Sequence, residues 1–235
     1  MTGLTRILRR SVKGSLFRGY ILHHRLLHYS GVLPHSRNFG FERGTPVGRC
    51  YVENFLRTNA SHVHGRCLDF GNDRYRSFFP LATSYEVVDV TPGDGVDYVC
   101  DIHDATSMPQ AAFDTIICLQ LFEHLAWPEK AAESIAQLLK PGGTLLLTAP
   151  FINPVHYVPT DYRRFTPECL TMILEQVGLV VNEVTFGGNS LVGTGSLHGM
   201  VTQDFSNREL DLKDPVYPYN ILVRARRPLD KDDTP

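Results

Sequence analysis

The sequence predicts an α/β protein, with a seven-stranded, mostly parallel sheet, helices on both faces, an antiparallel last strand and a helical N-terminal extension. Three observations predict it. From about residue 49, short apolar runs alternate with segments of helical periodicity, the pattern of parallel strands joined by crossover helices. The first three of those runs each exit on a carboxylate, at Asp69, Asp89 and Asp101. One helix, Pro128 to Lys140, stops on Pro141-Gly142-Gly143 and gives way at once to an apolar strand.

The elements follow in order. Residues 1 to 30 read as one or two amphipathic helices, with Leu4, Ile7 and Leu8, then Leu22, Leu26 and Leu27, as packing faces. Gly31 to Gly48 is a turn-rich linker. Cys50 to Thr58 reads as a helix carrying Tyr51, Phe55 and Leu56 on one side. Strands follow at about Arg66 to Phe70, Tyr85 to Val90, Tyr98 to Ile102 and Phe113 to Gln120. The helix from Pro128 keeps Ala131, Ala132, Ile135, Leu138 and Leu139 at helical spacing. Strand five runs Thr144 to Ala149 and ends at Pro150. Thr166-Pro167 supplies an N-cap and a first-turn proline for a helix reaching Gly178. Strands six and seven are Leu179 to Phe186 and about Tyr219 to Arg226. The intervening stretch, residues 187 to 218, is long for a connection, with a short helix expected near Ser196 to Met200. Strand six runs parallel to its predecessors, so this stretch leaves on the ligand side and reads as part of an acceptor lid. The expected organisation is an extension at 1–48, the main α/β domain at 49–227 and a frayed tail at 228–235.

Bulk composition excludes some classes. The 235 residues are 43% hydrophobic and 20% charged, with a net charge of -2, which describes a globular chain and not a general nucleic-acid binder. The average hides an asymmetry. Seven of the 23 Lys and Arg residues fall within the first 41 residues, which hold no acid, so the remaining 16 face all 25 Asp and Glu. A basic arm on an acidic body offers weak contact with membrane headgroups or another anionic partner; a solvated helix face, an oligomer contact such as a homodimer, or an Arg-rich transit segment are the other readings. The five cysteines form no CxxC pair, which indicates a reducing compartment and a cytoplasmic setting. No run approaches the ~18 apolar residues of a membrane span.

The carboxylates point to a ligand. In open α/β sheets ligands bind outside the carboxyl ends of the strands. Three carboxylates there suit hydroxyls, an exocyclic amine and positive charge, and suit a polyphosphate badly. S-adenosylmethionine carries a ribose diol, an adenine amine, an ammonium and a sulfonium, and fits that rim.

Leu68-Asp69-Phe70-Gly71, Val88-Asp89-Val90, Cys100-Asp101-Ile102, Phe113-Asp114-Thr115-Ile116, Glu123-His124-Leu125 and the run Leu138 to Leu145 occur in an order and spacing that resembles class I S-adenosylmethionine-dependent methyltransferases, a Rossmann-like family. The resemblance spans roughly residues 41 to 227. Segments Phe41 to Leu56 and Pro154 to Thr166 are similar to bacterial methyltransferases of glycan and natural-product pathways, which implies a small-molecule acceptor. By that resemblance Asp69, Gly71 and Asn72 line the methionine end of the cofactor. Asp89 accepts the ribose hydroxyls, and Val90 packs on the adenine. Asp101 accepts from the adenine amine beside Ile102, and Gln120 sits near the transferred methyl. One departure stands out. Where the family carries Gly-x-Gly-x-Gly, this chain reads Gly71-Asn72-Asp73-Arg74-Tyr75. That argues against a dinucleotide pyrophosphate, because Asp69 and Asp73 would repel it.

Candidate catalytic residues follow strands four and five. His156 or His124 would accept a proton from an acceptor hydroxyl, with Asp161 orienting His156. Tyr162, Arg164 and Tyr51 are candidate acceptor contacts. A hydrogen-bonded loop stapled by Pro154 and Pro159 is the alternative reading of the second segment, and Asp114 reads as a structural turn carboxylate. No metal is expected, because Glu123-His124 lacks a His-Glu-x-x-His or Cys partner. Methyl transfer to a hydroxyl of a sugar or natural-product intermediate is the leading expectation. A repurposed, non-catalytic methyltransferase fold and a nicotinamide-dependent oxidoreductase are the alternatives.

Overall fold

The computed structural model describes residues 33–230. The helices expected in residues 1 to 30 and the end of the tail lie outside the described residues. The elements are α1 (Val47–Thr58), β1 (Gly65–Phe70), β2 (Ala82–Asp89), β3 (Tyr98–Val99), β4 (Phe113–Leu119), α2 (Pro128–Leu138), β5 (Leu139–Pro150), α3 (Pro167–Gln176), β6 (Val180–Gly187), α4 (Ser190–Leu197), α5 (Asn207–Asp211) and β7 (Asn220–Arg226). They form one seven-stranded sheet in the order β3-β2-β1-β4-β5-β7-β6. The first five strands pair in parallel, and β7 runs antiparallel between β5 and β6. The chain moves outward from β1 to one side and then from β4 to the other. This places the switch in strand order between β1 and β4, where open sheets of this kind bind ligands.

Alternation along the central strands explains the two faces. Leu68, Ile116, Cys118, Leu145 and Leu147 pack under α2 and α3, against Ala131, Ile135, Leu138, Leu170 and Ile173. Their neighbours Cys67, Ile117 and Leu146 face the other way, against Val52, Phe55 and Leu56 of α1. A third cluster joins α1 to the long connection before β7, through Val47, Tyr51, Val192, Leu210 and Tyr219.

Several boundaries differ from the sequence expectations. β3 covers two residues, not five, because Asp101 accepts the backbone N–H of His103 at 3.0 Å and turns the chain out of the ladder. α2 ends at Leu138 because Leu139 already pairs with Phe113, so Lys140 to Gly143 belong to the start of β5. Lys140 Nζ reaches the Asp114 carboxylate at 2.7 Å, and Asp114 also accepts the Arg66 N–H at 2.8 Å. Asp114 is thus a structural group. The connections after β1 and β3 hold no α-helix, only the 3-10 turn Arg76–Phe78 and bends. The helix near Ser196 starts earlier, at Ser190, where the Asn189 side chain caps it by accepting from Val192 N–H at 3.1 Å.

Tyr51 is a core residue and not an acceptor contact. It is 7% exposed, and its hydroxyl donates to the Leu210 carbonyl at 3.0 Å. Gly187 lies against its ring so closely that a Cβ there would overlap the Tyr51 side chain. Gly187→Ala is therefore expected to lower stability by about 1–3 kcal/mol, the usual cost of overpacking, measured by urea unfolding. A variant as stable as the parent would show that Tyr51 moves freely.

Candidate functional site

A cavity of about 370 Å³ opens at the carboxyl ends of β1, β4 and β5. Asp69 and Phe70 form its floor from β1, Leu119 and Gln120 from β4, and Pro150 from β5. Asn72, Arg74 and Tyr75 close the side after β1, and Asn153, His156 and Tyr219 the opposite side. Its roof is Phe39, Phe41, Pro46, Gly48 and Arg49, from the segment leading into α1. Arg49 stacks its guanidinium over the Phe41 ring at 4.9 Å. The connection between β6 and β7 contributes no lining residue before Tyr219. It supports the roof instead: Arg43 Nη1 donates to the Gly199 carbonyl at 2.7 Å, and Thr202 N–H donates to the Thr45 carbonyl at 2.9 Å.

The sequence-predicted cofactor residues stand along one edge in strand order. Asp101 follows β3, Asp89 ends β2, Asp69 lies near the end of β1 and Gln120 follows β4. Asp69 and Gln120 line the cavity, as does Asn72, whereas Asp89, Val90, Asp101 and Ile102 lie outside its lining. Asp89 Oδ1 accepts the Thr91 N–H at 2.8 Å and the Thr91 hydroxyl at 2.9 Å. Val90 is 64% exposed beside it. The backbone N–H of His103 is the main influence holding the Asp101 carboxyl below its usual range, and the His103 ring adds to it at 2.7 Å. The Ile102 side chain is buried in the core. Gly71 has φ +96, a conformation that side chains rarely adopt, although a Cβ there would meet open space. Gln120 takes φ +51 without that freedom. Thr148 holds it, accepting the Gln120 N–H at its carbonyl (2.9 Å) and the side-chain amide at its hydroxyl (3.0 Å).

Asp69 is more deeply set than the sequence implies. It is 2% exposed, and the Tyr85 hydroxyl donates to its Oδ2. Burial pushes its carboxyl up to about 8, against the opposing pull of the Tyr85 hydrogen bond.

The second group lies beyond β4 and β5. The 3-10 turn Phe122–His124 follows β4, and the loop after β5 folds over it. His124 Nδ1 meets the Thr160 carbonyl at 2.7 Å, and His124 Nε2 meets His156 Nδ1 at 2.9 Å. His156 Nδ1 also lies 3.3 Å from Glu123 Oε1. Glu123 is fully buried, and its Oε2 has no hydrogen-bond partner. Phe39 from the roof meets the His156 ring edge-on at 5.6 Å between centroids.

Asp161 does not orient the His156 ring. It accepts the His156 backbone N–H at 2.7 Å and is gripped by Arg164 at 2.5 and 2.6 Å. Burial opposes its ionisation most strongly, but Arg164 and the His156 backbone N–H together outweigh it and hold the carboxyl below its usual range. Arg164 also donates to the Pro154 carbonyl at 3.0 Å, so it staples the loop. Tyr162 is 56% exposed, and its N–H donates to the Glu123 carbonyl at 2.7 Å. The carboxylate at the histidine rings is Glu123, which sequence reasoning did not select. Its one signal was a charged residue set inside the apolar run Leu121-Phe122-Glu123-His124-Leu125. Phe39 and Tyr219 carried no chemical signal in the sequence, and the other roof residues stood out only as part of the Phe41 to Leu56 resemblance.

This is the architecture of an open α/β sheet with a cavity at its carboxyl edge. Residues 48–183 match a family model described as a methyltransferase domain, and the chain belongs to that family. Among solved structures, the cyclase SpnF superposes with a TM-score of 0.55 at 19% identity, covering 91% of this chain and 96% of that one. The N-methyltransferase NodS from Bradyrhizobium japonicum WM9, in complex with S-adenosyl-l-homocysteine, gives 0.54 at 17% identity, covering 82% and 94%. These likenesses show the fold. A ubiquinone biosynthesis O-methyltransferase from Xanthomonas euvesicatoria is 39% identical over 57 residues, 24% of each chain. One from Dinoroseobacter shibae is 31% identical over 101 residues, 36% of this chain and 41% of that one. The matched segment therefore spans about a quarter of the first of these relatives.

Asp69 makes a pH dependence testable. An aspartate ordinarily titrates near 3.8, and this one holds its proton to about 8 when folded. The folded state thus binds the extra proton between those values, and stability falls as pH rises through that window. Asp69→Asn removes the titration and keeps an acceptor for Tyr85. Its melting temperature, relative to the parent, should rise from pH 5 to about pH 8 and then level off. A constant difference would mean that Asp69 is already ionised at pH 5.

Proposed function

We propose that the protein transfers a methyl group from S-adenosylmethionine to a small-molecule hydroxyl, with a sugar or natural-product intermediate as acceptor. The observation that carries this reading is the row of carboxylates along one sheet edge, ending in a cavity that continues past Gln120 to His156. Membership of the methyltransferase domain family supports it. On this reading Asp101 and Asp89 take the adenine amine and the ribose diol, with Val90 under the base. Gly71, Asn72 and Gln120 surround the methionine end, where Asp69 offers a hydrogen-bonding group. Tyr162 and the loop held by Arg164 border the acceptor side.

The reaction is an in-line displacement at the sulfonium methyl. The acceptor oxygen forms a bond to the methyl carbon, the carbon–sulfur bond breaks, and its electron pair stays on sulfur. The leaving thioether is neutral, so alignment and exclusion of water are the main demands. The acceptor proton must also leave, and of the two candidate histidines His156 is the one that lines the cavity. Among the described residues no helix is long and apolar enough to cross a membrane, and all five cysteines are free, which supports a reducing, cytoplasmic setting. The basic N-terminal segment remains a candidate for membrane-surface or homodimer contact.

Isothermal titration with S-adenosylmethionine, S-adenosylhomocysteine and NAD tests the reading. Binding of both adenosyl compounds and none of NAD is the expected result. Asp89→Ala should weaken S-adenosylmethionine binding by ~1–3 kcal/mol through a lost charge-assisted hydrogen bond. Unchanged affinity would remove Asp89 from the ribose role, and absence of adenosyl binding would favour a repurposed fold.

A further inference from the structure

Glu123, His124 and His156 come from two segments that the sequence keeps 32 residues apart, and they converge at one wall of the cavity. Among the described residues, no other three His, Cys, Asp or Glu side chains gather this way. We propose that these three side chains bind one divalent transition-metal ion, of the kind that takes imidazole and carboxylate ligands, such as zinc or manganese.

The distances fit. His124 Nε2 and His156 Nδ1 are 2.9 Å apart, His156 Nδ1 and Glu123 Oε1 3.3 Å, and His124 Nε2 and Glu123 Oε1 3.9 Å. An ion with bonds of ~2.0–2.1 Å sets its ligand atoms about 2.9 Å apart at right angles and about 3.4 Å apart at tetrahedral angles. In a tetrahedral arrangement the last edge must contract and the first must lengthen, each by about half an ångström.

The hydrogen positions fit as well. The Thr160 carbonyl at 2.7 Å demands a hydrogen on His124 Nδ1, which leaves the lone pair of Nε2 facing the group. His156 Nδ1 then has a single hydrogen to offer to two acceptors, His124 Nε2 and the Glu123 carboxylate. Glu123 Oε2 has no partner although its residue is 0% exposed. A buried carboxylate is normally paired, and a cation bound through both carboxylate oxygens would supply the partner that Oε2 lacks.

Access is one-sided. The Glu123 and His124 side chains are 0% and 7% exposed, while His156 is 38% exposed and lines the cavity. An ion held here has protein behind it and an open coordination position toward the cavity. The loop that delivers His156 is fixed by Arg164 and Asp161, so the ligand geometry does not depend on the metal being present. The consequence for the reaction rests on the methyl-transfer reading. The acceptor hydroxyl would bind the open position and lose its proton to solvent, and its oxygen would attack the sulfonium methyl while the carbon–sulfur pair returns to sulfur. His156 then serves as a ligand and not as the base.

The test uses the full chain, stripped with a chelator and titrated with Co²⁺ and Zn²⁺ without S-adenosylmethionine or acceptor. One equivalent should bind, Co²⁺ should develop visible ligand-field absorption, and zinc-edge X-ray absorption should show two imidazoles. His124→Ala and His156→Ala should each weaken binding by at least ~10–100-fold, the loss that even outer-shell changes cause. Glu123→Gln, which keeps the buried volume, should weaken it too. Absence of stoichiometric binding, a zinc environment without imidazole, or parent-like affinity in both histidine variants would overturn the proposal. If a histidine variant fails to fold by circular dichroism, the X-ray absorption of the parent protein decides. Metal binding without adenosyl binding would sink the methyl-transfer reading alone, and the reverse would sink the metal site alone.

Discussion

The β1–β4 pair is buried on both faces, and the placement of everything polar follows from that. Leu68 and Ile116 face one helical layer, Cys67 and Ile117 the other, and the pairing sets Leu68 beside Ile116 and Asp69 beside Ile117. Along such strands an unpaired polar group has no place, so polarity collects at their ends. At the amino end it is consumed by structure: Asp114 ties down Arg66 and Lys140, and the Thr115 hydroxyl exchanges hydrogen bonds with the His64 backbone. At the carboxyl end it is exposed to a cavity. Asp69 stands at the border, inside the core by burial and at the ligand edge by position.

The sheet was legible in the sequence because periodicity reports burial. The alternation of strand and helix patterns located all seven strands, and the carboxylates at Asp69, Asp89 and Asp101 marked the edge on which a ligand would lie. Boundaries were harder wherever long-range pairing overrides local signals. Pro141-Gly142-Gly143 reads as a helix stop, yet the pairing of Leu139 with Phe113 ends the helix sooner. Asp101 reads as the end of a strand, yet its own turn with His103 removes it from the ladder.

Side-chain partnerships were harder still, since they depend on which segments meet. Asp161 and His156 are five residues apart and look like a pair, but the carboxylate meets the backbone and the ring meets Glu123. Tyr51 looks like a rim aromatic and is a core group, because the connection carrying Leu210 folds back over α1. The fold leaves chemistry to such details. Function lives in the groups that a fold presents, and here those are the groups at the edge of the sheet.

The cavity roof has a consequence for how the site comes into being on the ribosome. The strand edge from Asp69 to Gln120 is early in the chain, and so is the roof segment around Phe39 and Phe41. What fastens that roof is late: Arg43 reaches Gly199 across 156 residues, His35 N–H reaches the His198 carbonyl, and Thr45 is held by Thr202 and Gln203. A domain folds as a unit, and contacts so distant in the chain cannot close until both segments have been made. A nascent chain therefore carries the residues of the cavity's floor well before the segment that fastens its ceiling has been made.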